Sequence, residues 1–287
     1  MVVPFRGSAA ELHRLRARLG RLRLRPGDSL VIVDNRPGAE PAPPGDVPVL
    51  AAPGRQTPGY ARNRGAARGQ AEWILFFDAD VVPPDDLLDR YFDPPPAERT
   101  ALVAGGVRDE AVPPDAPAAA RYAYIRGLTS QDDSFRFGSW GFPKTANALF
   151  RRAAFDAVGG FREDVRAAED ADLSYRLRDA GWELERRESA AAVHVARQTV
   201  RGLVAQKLMH GAGAAWLARE YPGVFPARRR PGLVWWGVRT AARGLVEAAR
   251  GRSRDRALWA VLEPLEQVTF EFGRLLPNTR GRRRGPL

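Results

Sequence analysis

Apolar residues gather at the very start of the chain. Residues 2–5 form a run too short for a helix and read as a buried strand. Over 11–24 the pattern changes: Leu12, Leu15, Leu19 and Leu22 recur near helical spacing among arginines, which predicts an amphipathic helix. A second apolar run, 30–33, ends at Asp34-Asn35. The Pro/Gly stretch 37–48 is a loop, 49–51 a third short strand, and 60–70 an Ala- and Arg-rich helix. Residues 73–77 are apolar without interruption and stop abruptly at Asp78-Ala79-Asp80, with Pro83-Pro84 beyond. This alternation of strand and helix predicts parallel strands covered by helices. In such sheets ligands sit in the crevice beyond the carboxyl ends of the strands. Asp34 and Asp78 both directly follow strands, so a site is expected there.

The second half is less regular. Residues 102–107 read as a strand and 109–117 as a loop. The stretch 122–140 shows no clear period and is expected to line the site. Helices are expected at 151–158, closed by Gly159-Gly160, at 168–180, closed by Gly181, and at 199–221. Between the last two, 184–195 is extended. From Pro222 the pattern turns to Arg-rich amphipathic segments, 233–249 and 257–276, carrying Trp235, Trp236, Trp259, Phe270 and Phe272. The expected organisation is an α/β domain over 1–221 and a basic helical extension over 222–287. No internal repeat is visible.

The chain has 287 residues, 44% hydrophobic and 28% charged, a composition that excludes a wholly disordered or fibrous chain. It has no cysteine, which rules out disulfides, thiolate metal sites and cysteine nucleophiles and fits a reducing compartment. No apolar run approaches the roughly 18 residues of a membrane span, and the N-terminus lacks the pattern of a secretory signal. The net charge of +11 is unevenly placed. Residues 1–197 hold 28 basic and 28 acidic side chains, whereas 198–287 hold 17 and 6. A localised basic tail implies an anionic partner, a membrane surface or nucleic acid, although the scarcity of lysine (only Lys144 and Lys207) also fits a general bias toward arginine. Nucleic acid does not explain the balanced first 197 residues or the strand-end acids. These considerations lead to a cytoplasmic protein, peripheral on the inner face of the cell membrane through 222–287.

Asp78-Ala79-Asp80 is the first chemical feature. In an extended segment residues i and i+2 point the same way, and paired carboxylates suit Mg²⁺ or Mn²⁺ that also grips substrate phosphates. The structural alternative is a turn with an aspartate capping the next helix. The second feature is Glu169-Asp170-Ala171-Asp172 at a helix start. Acids there favour the helix dipole, and Asp172 with Arg176 is spaced for an ion pair. Beside a Gly-Gly-Phe loop, the same acids can supply a general base. His194, after an extended run, is either a metal ligand or a buried structural histidine. His13 is expected in solvent and His210 in packing. Trp140, close to glycines, either stacks on a sugar or fills the core.

Together the motifs are far more specific than any one of them. Val3-Pro4-Phe5-Arg6, Val33-Asp34-Asn35, Ala61-Arg62-Asn63-Arg64-Gly65, Phe76-Phe77-Asp78-Ala79-Asp80, Asn147 to Gly159-Gly160-Phe161, and Glu169-Asp170-Ala171-Asp172-Leu173 with Arg176-Leu177 occur in this order. Across about residues 2–215 the chain resembles the family 2 glycosyltransferases of GT-A fold. The resemblance implies a Rossmann-like α/β fold, with a mostly parallel sheet flanked by helices and followed by a C-terminal helical extension. It implies an inverting transfer of a sugar from a nucleotide-diphosphate sugar to the hydroxyl of a glycan, lipid-linked or small-molecule acceptor, as in polysaccharide or glycolipid synthesis. Pro4 and Phe5 would border the nucleotide, Asp34 would bind the base, and Arg62, Asn147 and Trp140 would lie about the donor. Asp78 would face ribose or metal, Asp80 and His194 would ligate Mg²⁺ or Mn²⁺, Asp170 would be the base, and Glu169 would bind acceptor. Two departures stand out: Arg36-Pro37 follows Asp34, where an acidic or Asn residue and then Gly or Ser is usual, and Ala168 stands where Gly is common, a change expected to be harmless. A nucleotidyltransferase, or an inactive nucleotide-sugar-binding module, is the alternative.

Overall fold

The computed structural model describes residues 1–136, 138–224 and 232–279. Parts of the expected extension, 225–231 and 280–287, lie outside the described residues, as does Phe137. Strand β1 (Val2–Phe5) leads into α1 (Ala9–Leu19). A capping box fixes the start of α1: Ser8 Oγ accepts from Glu11 N at 3.3 Å, and Glu11 Oε2 accepts from Ser8 N at 2.6 Å. The helix stops at Leu19, short of the expected 24. Leu22 keeps the helical spacing because it is buried from a following turn, its amide bonded to Leu19 O at 3.1 Å.

Strands β2 (Val31–Asp34) and β3 (Val49–Ala51), helix α2 (Pro58–Ala66) and strand β4 (Trp73–Phe77) follow. β1 pairs in parallel with both β2 and β4, and β2 with β3, as the alternation of strand and helix predicts. α2 begins with Pro58, where a missing N–H costs nothing. It lies close on β1 and β2 because Gly65 has no side chain; a Cβ there would come within 2.2 Å of Val2 Cγ1.

The remaining strands are β5 (Val81–Val82), β6 (Thr100–Asp109), β7 (Asn147–Arg151) and β8 (Glu183–His194). Among them stand helices α3 (Leu87–Tyr91), α4 (Ala118–Arg126), α5 (Asp132–Phe135), α6 (Arg152–Ala157) and α7 (Glu169–Asp179). Helices α8 (Val200–Glu220), α9 (Leu233–Arg250) and α10 (Arg254–Gly273) come last. The eight strands form one sheet in the order β3-β2-β1-β4-β7-β6-β8-β5. β7 runs antiparallel to β4 and β6, and β5 antiparallel to β8. The solid apolar run of β4 is explained by burial on both faces. Ile74 and Phe76 enter one core layer, with Phe150, Phe155 and Phe161, while Leu75 and Phe77 enter the other, with Leu15, Leu19 and Tyr91.

The chain divides into two compact units. The sheet unit holds Met1–Arg108, Ser130–Val165 and Glu169–Val195. The helical unit holds Asp109–Thr129, Arg166–Ala168 and Ala196–Leu287. Within the helical unit α10 packs against α8, α9 and α4. Its core places the Tyr122 hydroxyl 2.7 Å from Glu263 and 2.8 Å from Glu266, and Lys207 Nζ 2.6 Å from Glu266.

Asn147 clamps the sheet unit from inside. Its Nδ2 donates to Gly106 O at 3.0 Å and Ala190 O at 2.8 Å, and its Oδ1 accepts from the buried Tyr91 hydroxyl at 2.8 Å. Asn147→Ala leaves these buried groups without partners, each worth about 1–3 kcal/mol. Urea denaturation should therefore show a loss of about 3 kcal/mol at unchanged m-value, whereas a loss below about 0.5 kcal/mol would remove the clamp.

Candidate active site

The ends of β2, β1 and β4 lie side by side. Phe5 is in register with Asp34, and Asp78 follows β4, two strands from Asp34, a lateral span of about 10 Å. The junction between these ends and α7 is Arg62 on α2. Its guanidinium is buried; Nη2 donates to Asp78 Oδ1 at 2.8 Å and Nη1 to Glu169 Oε1 at 2.6 Å. Burial opposes its charge, but Asp78 and Glu169 outweigh that and raise its pKa further. The guanidinium also lies 5.4 Å from the centroid of Phe161.

Local bonds explain why α7 starts where it does. Asn63, one residue along α2, accepts from Phe161 N at 3.0 Å and donates to Phe161 O at 2.9 Å. Arg176 then donates to Val158 O at 2.6 Å and Gly160 O at 2.8 Å, while pairing with Asp172 at 2.6 Å. The Gly-Gly-Phe loop is thus pinned from both helices, and Gly159 and Gly160 take the positive φ it needs. Asp172 is accounted for by its pair with Arg176. Ala168 has φ of 69°, a left-handed conformation that costs a residue with a Cβ about 1 kcal/mol. The departure at 168 is therefore not neutral for the backbone, and it explains why glycine suits that place.

Asp170, the next residue after Glu169, is half-buried. Its Oδ1 accepts from Ala171 N at 2.8 Å. Burial first, and the charge of Glu169 second, push its carboxyl above the usual carboxylate range toward neutrality. Tyr175, one turn further along α7, was not singled out by the sequence. Its hydroxyl donates to Trp140 O at 2.8 Å, and the two rings meet edge to face at 5.2 Å. Burial and the charge of Asp170 raise its pKa. Trp140 is thereby drawn to the α7 side of the site. The sequence signal for Tyr175 was no more than an aromatic residue in an acid-rich helix.

Asp80 and His194 are brought together by β5 and β8. Val81 pairs with His194, Val195 N donates to Asp80 O at 2.8 Å, and His194 Nε2 lies 3.5 Å from Asp80 Oδ2. Arg18 of α1 donates to Ala79 O in the same turn. Among the described residues no group of three or more His, Asp or Glu forms a ready metal cluster. One carboxylate and one imidazole suit an ion that takes its other ligands from water and substrate phosphates.

Asp34 is buried, and both its oxygens are held by Arg36: Nε at 2.9 and 3.0 Å and Nη2 at 2.6 Å. Leu12, Asp34, Arg36 and loop 37–43 line a cavity of about 370 Å³. Pro4 is half-buried within β1. Asn147 is not brought to this group: its amide is used up inside the sheet.

The family model for glycosyl transferase family 2 matches residues 2–159. The chain belongs to this family. It is similar to the pre-mycofactocin glycosyltransferases of two Mycobacterium tuberculosis strains. Each is 31% identical over 232 residues, covering 77% of this chain and 48% of the relative. The chain spans about half the length of these curated relatives. The fold is also that of the mannosyltransferase PcManGT from Pyrobaculum calidifontis, solved with GDP-Man and Mn²⁺. The TM-score is 0.63 at 14% identity, over 96% of this chain and 86% of that one.

The raised carboxyl of Asp170 has a stability consequence. Between the unfolded value near 3.9 and the raised folded value, the native protein holds more protons than the unfolded chain, so stability falls as pH rises through that window. Asp170→Asn removes the penalty. At pH 8 the variant should unfold at higher urea than wild type, and the gap should close toward pH 4. A variant less stable at pH 8 would contradict the burial argument.

Proposed function

We propose that this transferase moves a hexose from a nucleotide-diphosphate sugar to an acceptor hydroxyl in one inverting displacement, with Asp170 as general base. The observation that carries the reading is the Arg62 bridge, which joins Asp78 after β4 to Glu169, the first of the acid pair opening α7. A site for a leaving diphosphate thus lies next to a carboxylate able to take a proton.

Phe5 and Pro4 would flank the nucleotide, with Asp34 and Arg36 acting as one unit toward the base. Arg36 occupies both oxygens of Asp34, so base recognition runs through the arginine or requires it to swing aside. Asp78, fixed by Arg62, would face the ribose side. Asp80 and His194 would hold a divalent cation, Mg²⁺ or Mn²⁺. When bound, that ion would offset the charge building on the diphosphate.

Asp170 would accept the proton of the acceptor hydroxyl as the new bond to the anomeric carbon forms and the bond to the diphosphate breaks. A base with a pKa near the working pH suits this task. Glu169, tied to Arg62, would orient the acceptor, and Trp140 with Tyr175 would supply an aromatic wall beside it. The acceptor class is a glycan, a lipid-linked sugar or a small molecule, and the place of action is the cytoplasm.

Asp170→Asn should lower transfer by about 10²–10⁴-fold, the usual weight of general base catalysis. Calorimetry should find its affinity for nucleoside diphosphate unchanged within about twofold. Transfer close to wild type would remove Asp170 from the role. In the parent, kcat/KM should fall as pH drops through the raised carboxyl value, and that limb should vanish in the Asn variant. Asp80→Ala and His194→Ala should each abolish the gain in diphosphate affinity on adding Mn²⁺; an equal gain in both variants would place the ion elsewhere.

A further inference from the structure

α9 is built inside out. It packs within the helical unit through its small residues: Gly237 and Ala248 are buried, a Cβ on Gly244 would come within 2.4 Å of Ala260 Cβ, and one on Gly237 would touch Val268 at 3.4 Å. Its large apolar residues turn the other way. Val234, Trp235, Trp236, Val238, Leu245 and Val246 are 55%, 65%, 43%, 57%, 44% and 51% exposed. An amphipathic helix of a globular unit normally does the reverse.

The exposed residues are ordered. At 3.6 residues per turn, five of the six lie in one arc of about 120° beside the buried stripe, Arg239, Arg243 and Arg250 fill the next arc of about 40°, and Trp236 stands just beyond the arginines. Glu247, the one acid of α9, lies beyond the arginines on the far side from the apolar arc. Helix α9 therefore presents three strips in sequence, small and packed, large and apolar, then cationic, with Trp236 at the outer border of the cationic strip.

We propose that this face docks on an anionic lipid surface, with α9 lying in the interface plane. The apolar strip would enter the boundary of headgroups and acyl chains, and the arginine strip would lie at the level of lipid phosphates. Tryptophan suits that boundary because one end of its ring system is apolar and the other donates a hydrogen bond. No described helix is long and apolar enough to cross a membrane, so the contact is lateral. Charge favours lipid over a second copy of the chain. Residues 198–287 hold 17 basic and 6 acidic side chains, and self-pairing of this patch would set like charges against each other. The inference stands apart from the catalytic assignments, since no residue of α9 belongs to the site.

The test is co-sedimentation of the full chain with vesicles of phosphatidylcholine alone or mixed with phosphatidylglycerol. Binding should need phosphatidylglycerol and weaken with salt. Trp235→Glu combined with Val238→Glu should lower it at least tenfold. Arg239→Gln combined with Arg243→Gln should do so by roughly tenfold or more while leaving the apolar strip intact. All four residues are exposed, and unchanged circular dichroism would show that the variants fold. Absent binding by the parent, equal binding to neutral vesicles, or full binding by both variants would overturn the proposal. So would a concentration-dependent dimer of the parent, seen by sedimentation velocity, that masks vesicle binding and is lost with the tryptophan variant.

Discussion

One buried guanidinium organises the site. Taking Arg62 out of water is costly, and the cost is offset only because Asp78 and Glu169 both reach it at hydrogen-bond distance. The three residues come from α2, the turn after β4 and the start of α7, so one charge cluster ties together parts of the chain more than a hundred residues apart. Removing a partner from such a cluster leaves a buried charge uncompensated, a loss of about 3–5 kcal/mol. The strand end and the helix start therefore cannot drift independently. Asp170 takes its position from this tie without sharing in it: it neighbours Glu169, yet makes no ion pair with Arg62 among the described residues. Two adjacent carboxylates thus sit in different surroundings, one held by a buried guanidinium and the other by a backbone amide.

The two halves of the sheet contribute different things. The parallel half, β3-β2-β1-β4, aligns the carboxyl ends of its strands and so sets Phe5, Asp34 and Asp78 along one edge. The antiparallel partners close the pattern from the other direction. The pairing of β5 with β8 holds Asp80 and His194 side by side, although 113 residues separate them in sequence. A sheet of parallel strands alone would offer the first group and not the second.

Those contrasts also explain what the sequence could disclose. β4 was legible because a strand buried on both faces must be apolar throughout, and the acids after it break that pattern sharply. The closure of α6 by Gly159-Gly160 was legible because it is local chemistry, whereas the capping box of Ser8 with Glu11, equally local, was not read. The end of α1 was not, since Leu22 is buried by a turn that mimics helical spacing. Nor was 122–140: part of it is the four-residue α5, held by long-range bonds such as Gln131 to Gly105 O at 3.1 Å and Lys144 N to Gln131 at 2.8 Å. The pair Asp34–Arg36 lies only two residues apart, but nothing in the spacing says that the arginine folds back on the acid. The use of Asn147 as an internal clamp likewise depends on Tyr91 and Ala190, far away in sequence.

The same reasoning bears on the inverted helix. Apolar surface left in water forgoes about 25 cal/mol for each Å² that burial would gain, so a stripe of large apolar residues turned outward needs a compensating surface. Turning α9 about its axis would bury Val238 and Leu245, but its contact with α10 would then lose the close approach that Gly244 allows against Ala260. Small residues inward are thus a condition of that tight packing, and the large ones are left outward as its consequence. Chance exposure would not order the remaining residues further. The arginines border one side of the apolar arc while the acid lies beyond them. That order matches a boundary where hydrocarbon, phosphate and water follow one another within the width of a helix.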